Sequence, residues 1–343
     1  MSTIELLNIC KSFAGKDVLK NINLRIEQGQ FFSLLGPSGC GKTTTLKIIA
    51  GLIKPDSGDI LFDGCSVLNI KTEKRGATIV FQDYLLFPHM TVEENIGFGL
   101  KMTGVGKKIR HEKVKELMEL VQLNGYEKKY PSEISGGQRQ RAALARALAI
   151  NPRVLLLDEP FSSLDERLRD NMREFVLDLQ RRLKITTILV THDKEEALML
   201  SDKIALMFDG KIIQIGTPNE LYNMPVSREA ADFWGDNNYI EGKVEKGVFK
   251  CCFGDFNVGF EKDSDVVAMI RPEFVYLNLN YLDGQIKGKI LKKKYAGDKV
   301  YYEVLASNNI LKSTTISTNL LEVGDEVGIF VDFKRAIYYL QKQ

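Results

Sequence analysis

The chain has 343 residues, 44% hydrophobic and 27% charged, with a formal net charge of +2. That length exceeds what a single hydrophobic core usually spans, so two domains are expected. The composition is that of an ordinary soluble globular protein. No apolar run is long enough to span a bilayer, and so weak a net charge argues neither for nor against a nucleic-acid partner. The opening residues Met1-Ser2-Thr3-Ile4-Glu5 lack the basic and apolar regions of a secretion signal. The expectation is a cytosolic protein, free to dock on a membrane protein.

In chain order, Ile4–Ile9 and Leu19–Ile26 alternate apolar and polar residues and read as half-buried antiparallel strands. Phe13 lies between them, before the turn Ala14-Gly15-Lys16. It is either a loop aromatic able to stack on a nucleobase or, by spacing alone, a core residue.

Next comes Phe31-Phe32-Ser33-Leu34-Leu35, a short buried strand, followed by Gly36-Pro37-Ser38-Gly39-Cys40-Gly41-Lys42-Thr43-Thr44. This fits the phosphate-loop pattern G-x-x-x-x-G-K-[ST] at every fixed position, and a helix follows that ends near Gly51. Glycines let several backbone N–H groups turn inward on an anion. The helix N-terminus adds partial positive charge at the same point. Lys42 is placed to reach the outer phosphates of a nucleotide, and the Thr43 hydroxyl to ligate magnesium. The five cysteines, Cys10, Cys40, Cys65, Cys251 and Cys252, show no metal-ligand spacing and read as free thiols. Cys40, beside a helix N-terminus, is either a small packed residue or a thiol of lowered pKa.

Three further apolar runs resemble Phe31–Leu35. Thr78–Phe81 ends at Gln82, Val154–Leu157 at Asp158-Glu159, and Thr186–Thr191 at His192. Near-continuous apolar strands suit a parallel sheet covered on both faces, with ligands beyond the carboxyl ends. Four polar groups then converge around the phosphates. Asp158 is placed to hold magnesium, directly or through water. Glu159 is placed to polarise an attacking water. His192 reads as a γ-phosphate contact.

Between the second and third runs, Lys107–Leu123 is amphipathic, with Ile109, Val114, Leu117, Met118 and Val121 near helical spacing. After it, Ile134-Ser135-Gly136-Gly137-Gln138 opens an alanine-rich helix. Ser135 and the glycines make a second helix end suited to an anion, or a plain N-cap. One evident nucleotide per chain does not need two such ends, which points to two chains sharing a nucleotide.

Taken together, these residues resemble the ATP-binding subunits of ABC transporters over about residues 3–235. The resemblance rests on the phosphate loop, Gln82 as the Q-loop, Ile134–Gln138 as the signature, Asp158-Glu159, Ser162-Ser163-Leu164-Asp165 as the D-loop and His192 as the switch histidine. Phe13 stands where the family places its base-stacking aromatic. Ile134 replaces the usual leucine, a volume-conserving change. The resemblance implies ATP and Mg2+ as cofactors, with Gln82 joining Thr43 and Asp158 at the metal. It also implies a homodimer with Asp165 at the dimer contact, and Gln82 and Asp83–Gly99 facing a membrane permease. The run Tyr84-Leu85-Leu86-Phe87-Pro88 fits either that contact surface or core packing.

Past Trp234-Gly235 the sequence shifts to short strands with turn signals, suggesting a small β-barrel over 236–343. Ile270-Arg271-Pro272-Glu273 looks like the marker of the C-terminal OB-like domain of importer ATPases for maltose, polyamines and ferric ion. The expected fold is therefore an α/β P-loop ATPase with a mixed, mainly parallel sheet and a helical subdomain at about 83–150, followed by an OB-like barrel. The expected role is energising solute import at the cytoplasmic face of the membrane, with an extracytoplasmic solute-binding protein as an indirect partner and no nucleic acid. The short tail favours a polyamine, ferric ion or oxyanion as the solute. The rival readings are an exporter ATPase and a soluble ABC ATPase acting on ribosomes or DNA. The rival soluble forms call for fused ATPase halves or a long coiled-coil insertion, which the chain lacks.

Overall fold

A computed structural model describes residues 2–259, 262–279, 286–316 and 321–341. The chain divides into two compact units, Met1–Asn223 and Met224–Gln343. In the first, strands β1 (Ile4–Phe13) and β2 (Lys16–Ile26) pair antiparallel, and β3 (Phe31–Leu35) leads into helix α1 (Lys42–Ala50). Strands β4 (Ser57–Phe62), β5 (Cys65–Ser66) and β6 (Ala77–Val80) precede three helices: α2 (Val92–Met102), α3 (Lys107–Leu120) and α4 (Gly136–Ala149). Then come β7 (Val154–Asp158), α5 (Glu166–Leu183), β8 (Thr186–Thr191), α6 (Lys194–Leu200), β9 (Lys203–Phe208), β10 (Lys211–Gly216) and α7 (Pro218–Asn223).

These strands form a four-stranded sheet, β2-β1-β4-β5, and a six-stranded one, β10-β9-β3-β8-β7-β6. In the larger sheet β3, β6, β7, β8 and β9 run parallel and β10 is antiparallel to β9. Strands β3, β6, β7 and β8 divide their apolar residues between two cores. Phe31, Leu155, Leu157 and Leu189 face the core built with α2–α5. Phe32, Leu34, Leu156, Ile188 and Val190 face the core built with α1, β1 and β2. This explains why β3 and β8 are buried at every position. Register decides what happens at the strand ends: Leu35 stands opposite Thr191, and Asp158 opposite Val190. The chain exits toward the phosphate loop, Glu159 and His192 therefore lie level along one edge.

The helical region departs from expectation in two places. Helix α2 was not legible from apolar spacing, although Thr91 and Glu94 form a capping box at its start. In α3, Val114, Leu117 and Met118 are buried but Ile109 is 64% exposed. Five residues before Val114, Ile109 falls about 140° around the helix from the apolar stripe.

The second unit begins with helix α8 (Arg228–Trp234). Its strands are β11 (Asn238–Glu245), β12 (Val248–Cys251), β13 (Gly254–Asn257), β14 (Ser264–Ile270), β15 (Val275–Asn278), β16 (Ile286–Tyr295), β17 (Lys299–Ala306), β18 (Asn309–Ile316), β19 (Glu326–Val331) and β20 (Ile337–Leu340). They form two five-stranded antiparallel sheets, β13-β12-β11-β14-β20 and β15-β19-β16-β17-β18. One core joins them: Val244, Phe249 and Val266 from the first pack with Ile290, Tyr302, Val304 and Ile329 from the second. The result is an OB-like β-barrel. Helix α8 groups with it because Arg271 donates to the Ala231 carbonyl and to Asn237 Oδ1, and the Tyr339 hydroxyl donates to Pro225 O. The division by contacts therefore falls before this helix, not after Gly235.

Candidate functional site

The phosphate loop is shaped by close approaches. Gly36 passes so near the Met207 carbonyl that any Cβ there would collide with it. Gly41 has φ +105°, and a Cβ on it would sit 2.6 Å from Leu19 Cδ2. Pro37, Ser38 and Gly39 form an exposed tip, whereas Gly36, Cys40, Gly41 and Lys42 are buried and Thr44 is half-buried. Lys42 folds back over the loop and donates to the carbonyls of Gly36 (2.8 Å) and Pro37 (2.9 Å). Its ammonium is thereby held against the loop's own backbone. Cys40 lies beneath it, Sγ 3.9 Å from Lys42 Nζ. Burial pushes the Cys40 thiol up, with Lys42 opposing. The buried Cys40 packs as a small residue, and desolvation acts on its thiol more strongly than the nearby cation.

Thr43, on the first turn of α1, donates to Asp158 Oδ1 at 3.0 Å. Burial raises the Asp158 pKa, and the Thr43 hydrogen bond works against it. Glu159 turns the chain out of β7 with φ 47°, held by its N–H donating to Val190 O at 2.9 Å. Such a left-handed residue is uncommon outside glycine and marks a constrained turn. It aims the carboxylate along the strand edge, where Glu159 Oε2 sits 3.0 Å from His192 Nδ1. Thus Lys42, Thr43, Asp158, Glu159 and His192 are drawn together by three neighbouring strand ends.

The other expected residues lie around this group. Gln82 is exposed just past β6. Phe13 is 44% exposed near the tip of the β1–β2 hairpin, with the Lys11 ammonium 5.2 Å from its ring centroid. Core packing is excluded for it, because the ring stands outside both cores. Ser135 caps α4: its hydroxyl accepts from Gln138 N–H at 3.3 Å, and Gln138 Oε1 accepts from Ser135 N–H at 2.9 Å. Gly136 and Gly137 follow in the first turn. Among the described residues, no hydrogen bond links Ser135, Gly136, Gly137 or Gln138 to the phosphate loop. Asp165 caps α5 by accepting from Leu168 N–H.

Three residues escaped sequence reasoning. Tyr84, in the run left open between contact surface and core packing, is 6% exposed. Its hydroxyl lies 2.9 Å from Ser163 Oγ and donates to Pro160 O at 3.1 Å. Leu86 and Phe87 are half-buried, while Leu85 and Pro88 remain exposed, so the run divides between packing and surface. Arg146 of α4 donates to Leu85 O and Tyr84 O, pinning the segment after Gln82 to the signature helix. Arg173 of α5 sits among the carboxylates beside His192. Tyr84 stands out as the one hydroxyl in an apolar run, whereas the two arginines lie in helices that carry several other charges and gave no signal.

A phosphate loop, a strand-end Asp-Glu pair and a facing histidine on a parallel sheet define a P-loop ATPase. The family model for "ABC transporter" matches residues 19–162. The spermidine/putrescine import ATP-binding protein PotA of Clostridioides difficile (strain 630) is 43% identical over 344 residues, covering 99% of this chain and 98% of that one. A dimeric post-hydrolysis structure of the ATP-binding cassette MJ0796, bound to ADP and Pi, is similar at TM-score 0.57 and 31% identity. It covers 63% of this chain and 98% of its own. The chain belongs to the ABC transporter family, as an ATP-hydrolysing subunit of the importer type.

Proposed function

We propose that this chain energises polyamine import through a membrane permease, two copies closing on two shared ATP molecules and reopening after hydrolysis. The observation that carries the solute assignment is the full-length match to a spermidine/putrescine import ATPase, which extends through the β-barrel unit. Among the described residues, no helix is long and apolar enough to cross a membrane. That is compatible with a peripheral subunit on the cytoplasmic side of a separate permease.

In this reading the N–H groups of Gly39–Thr44 and the Lys42 ammonium bind the phosphates. Gly36, Pro37 and Ser38 shape the approach, and Phe13 stacks on the adenine. Thr43 and Asp158 would hold magnesium, with Gln82 as a further ligand. The hydroxyl–carboxylate pair at 3.0 Å is an all-oxygen donor set, which suits a hard cation that takes its remaining ligands from phosphates and water. Bound there, magnesium supplies neutralisation of phosphate charge. Glu159 accepts the proton of the attacking water, and His192, in contact with Glu159, orients it and reaches the γ-phosphate. Ser135, Gly136, Gly137 and Gln138 of the partner subunit's copy of this sequence complete each site, and Asp165 lies at the dimer contact. The segment 83–99 faces the permease, and an extracytoplasmic binding protein delivers the solute.

The test is ATP hydrolysis by membranes carrying this chain, its permease subunits and its binding protein. Spermidine or putrescine should stimulate turnover. Stimulation by ferric ion or an oxyanion, with none by a polyamine, would move the assignment to that solute.

A further inference from the structure

His192 is exposed, yet the residues on both sides of it are tightly held. Thr191 Oγ1 donates to Glu196 Oε2 at 2.6 Å and accepts from Asp193 N–H at 3.0 Å. Asp193 Oδ1 accepts from Glu195 N–H and Glu196 N–H, capping α6. Arg173 reaches into this ring from α5 with a side chain only 4% exposed. One guanidinium nitrogen lies 3.1 Å from Asp193 Oδ2 and 3.5 Å from Glu196 Oε1. The other contacts Asp170 (3.1 Å) and Glu195 (3.4 Å). The Glu196 carboxylate is as buried as the guanidinium. A buried cation shared by several carboxylates fixes geometry more than it adds stability.

We propose that Arg173 is a positioning residue for hydrolysis, locking the Thr191–Asp193 turn so that His192 stays in contact with Glu159. The inference rests on the roles assigned above to Glu159 and His192, and adds how their geometry is controlled. Arg173 lies two turns into α5, the helix capped by Asp165. The same guanidinium therefore ties the turn carrying His192 to the helix that starts at the proposed dimer contact. A shift of α5 as two subunits close would move Arg173, and through its bonds to Asp193 and Glu196 the turn that carries the histidine. The planar fork matters here, because it engages two carboxylates on one side and two on the other.

The experiment uses the full chain and measures ATP affinity together with single-turnover hydrolysis of ATP by excess protein. Arg173→Met should hydrolyse on the order of ten- to a hundredfold more slowly, as expected for a misplaced catalytic group. ATP affinity should stay within about twofold, because among the described residues no side-chain hydrogen bond joins the ring to the phosphate loop; in energy, twofold is about 0.4 kcal/mol. Arg173→Lys should recover part of the rate. In a His192→Ala background, Arg173→Met should cause no additional loss, since its effect passes through the histidine. Wild-type hydrolysis by Arg173→Met, or losses that add in the double variant, would overturn the proposal. If Arg173→Met does not fold, Thr191→Val removes only the hydroxyl that joins Glu196 to Asp193, and the same readings apply to it. Full hydrolysis by His192→Ala alone would instead sink the underlying site assignment. A slow His192→Ala beside a fast Arg173→Met would sink only the positioning role.

Discussion

At the scale of single residues, the site is a set of compromises between burial and charge. Asp158 is held partly buried against Thr43, and desolvation raises its pKa. A carboxyl whose folded value is raised costs stability above that value, because the unfolded chain solvates the charge better. The cost is absent below the unfolded pKa and complete once pH has risen through the folded one. At neutral pH, Asp158→Asn should therefore melt no lower than the wild type in the absence of nucleotide and metal, while magnesium-dependent hydrolysis is lost. A lower melting temperature would mean that the Thr43 hydrogen bond outweighs desolvation. Glu159 makes a different prediction, since in the proposed mechanism its carboxylate is the base. Glu159→Gln should bind ATP and lose ~10²–10⁴ of its turnover, the usual loss for a removed acid–base group. Near-wild-type turnover would take Glu159 out of the mechanism. Phe13, exposed at its hairpin, can be truncated without opening a core. Phe13→Ala should weaken ATP binding by about 1–3 kcal/mol, as for base–aromatic stacking elsewhere, with unchanged melting. Phe13→Trp should bind normally; an unaltered affinity in Phe13→Ala would remove the stacking role.

At the scale of elements, the strand ends place the chemistry and the helices brace it. Arg146 carries this from α4 to the segment after Gln82 by holding two consecutive carbonyls, those of Tyr84 and Leu85. Both residues have positive φ, at 58° and 41°, so the segment is held in a conformation that L-residues disfavour. Helix α8 shows the same dependence on neighbours. Its Ala230, Ala231 and Trp234 are buried, and Arg271 bonds to its backbone. A fragment ending at Asn223 should accordingly bind ATP and stay monodisperse. One ending at Gly235 keeps α8 without its hydrogen-bonding partners Arg271 and Tyr339, and should aggregate or melt lower. Equal behaviour of the two fragments in light scattering and thermal unfolding would show that α8 does not need the barrel.

At the scale of the whole molecule, the open question is how two anion-suited helix ends are used. Ser135 accepts from Gln138 N–H, which leaves its hydroxyl hydrogen available to donate, and Gly136 and Gly137 stand in the first turn of α4, whose N–H groups lack intrahelical acceptors. Head-to-tail pairing of two copies would bring this end to the other copy's phosphate loop, with reciprocity following from two-fold symmetry. Mixing Lys42→Ala with Ser135→Arg should restore nucleotide trapping with a transition-state mimic. The mixed dimer puts both lesions in one site and leaves the other whole. Verified mixed dimers that trap no better than either variant alone would return Ser135 to the role of a simple cap.

What the sequence by itself determined was the chemistry and its order along the chain. The phosphate loop, Asp158-Glu159 and His192 are short local patterns at the ends of apolar strands, and their residue types are set by what phosphate and water require. The two-sided burial of β3 and β8 was legible for the same reason, since no strand exposed to water on one face is apolar throughout. Tertiary structure decided matters in which distant residues compete. Strand order set β8 between β3 and β7, and so brought His192 against Glu159, far apart in the chain. Desolvation, which no local pattern reports, raises the pKa of both Cys40 and Asp158. The partners of Tyr84 and Arg173 were invisible because a polar residue's partner is fixed by packing rather than by spacing. Helix α8 joined the barrel because its hydrogen-bond partners lie far downstream, at Arg271 and Tyr339.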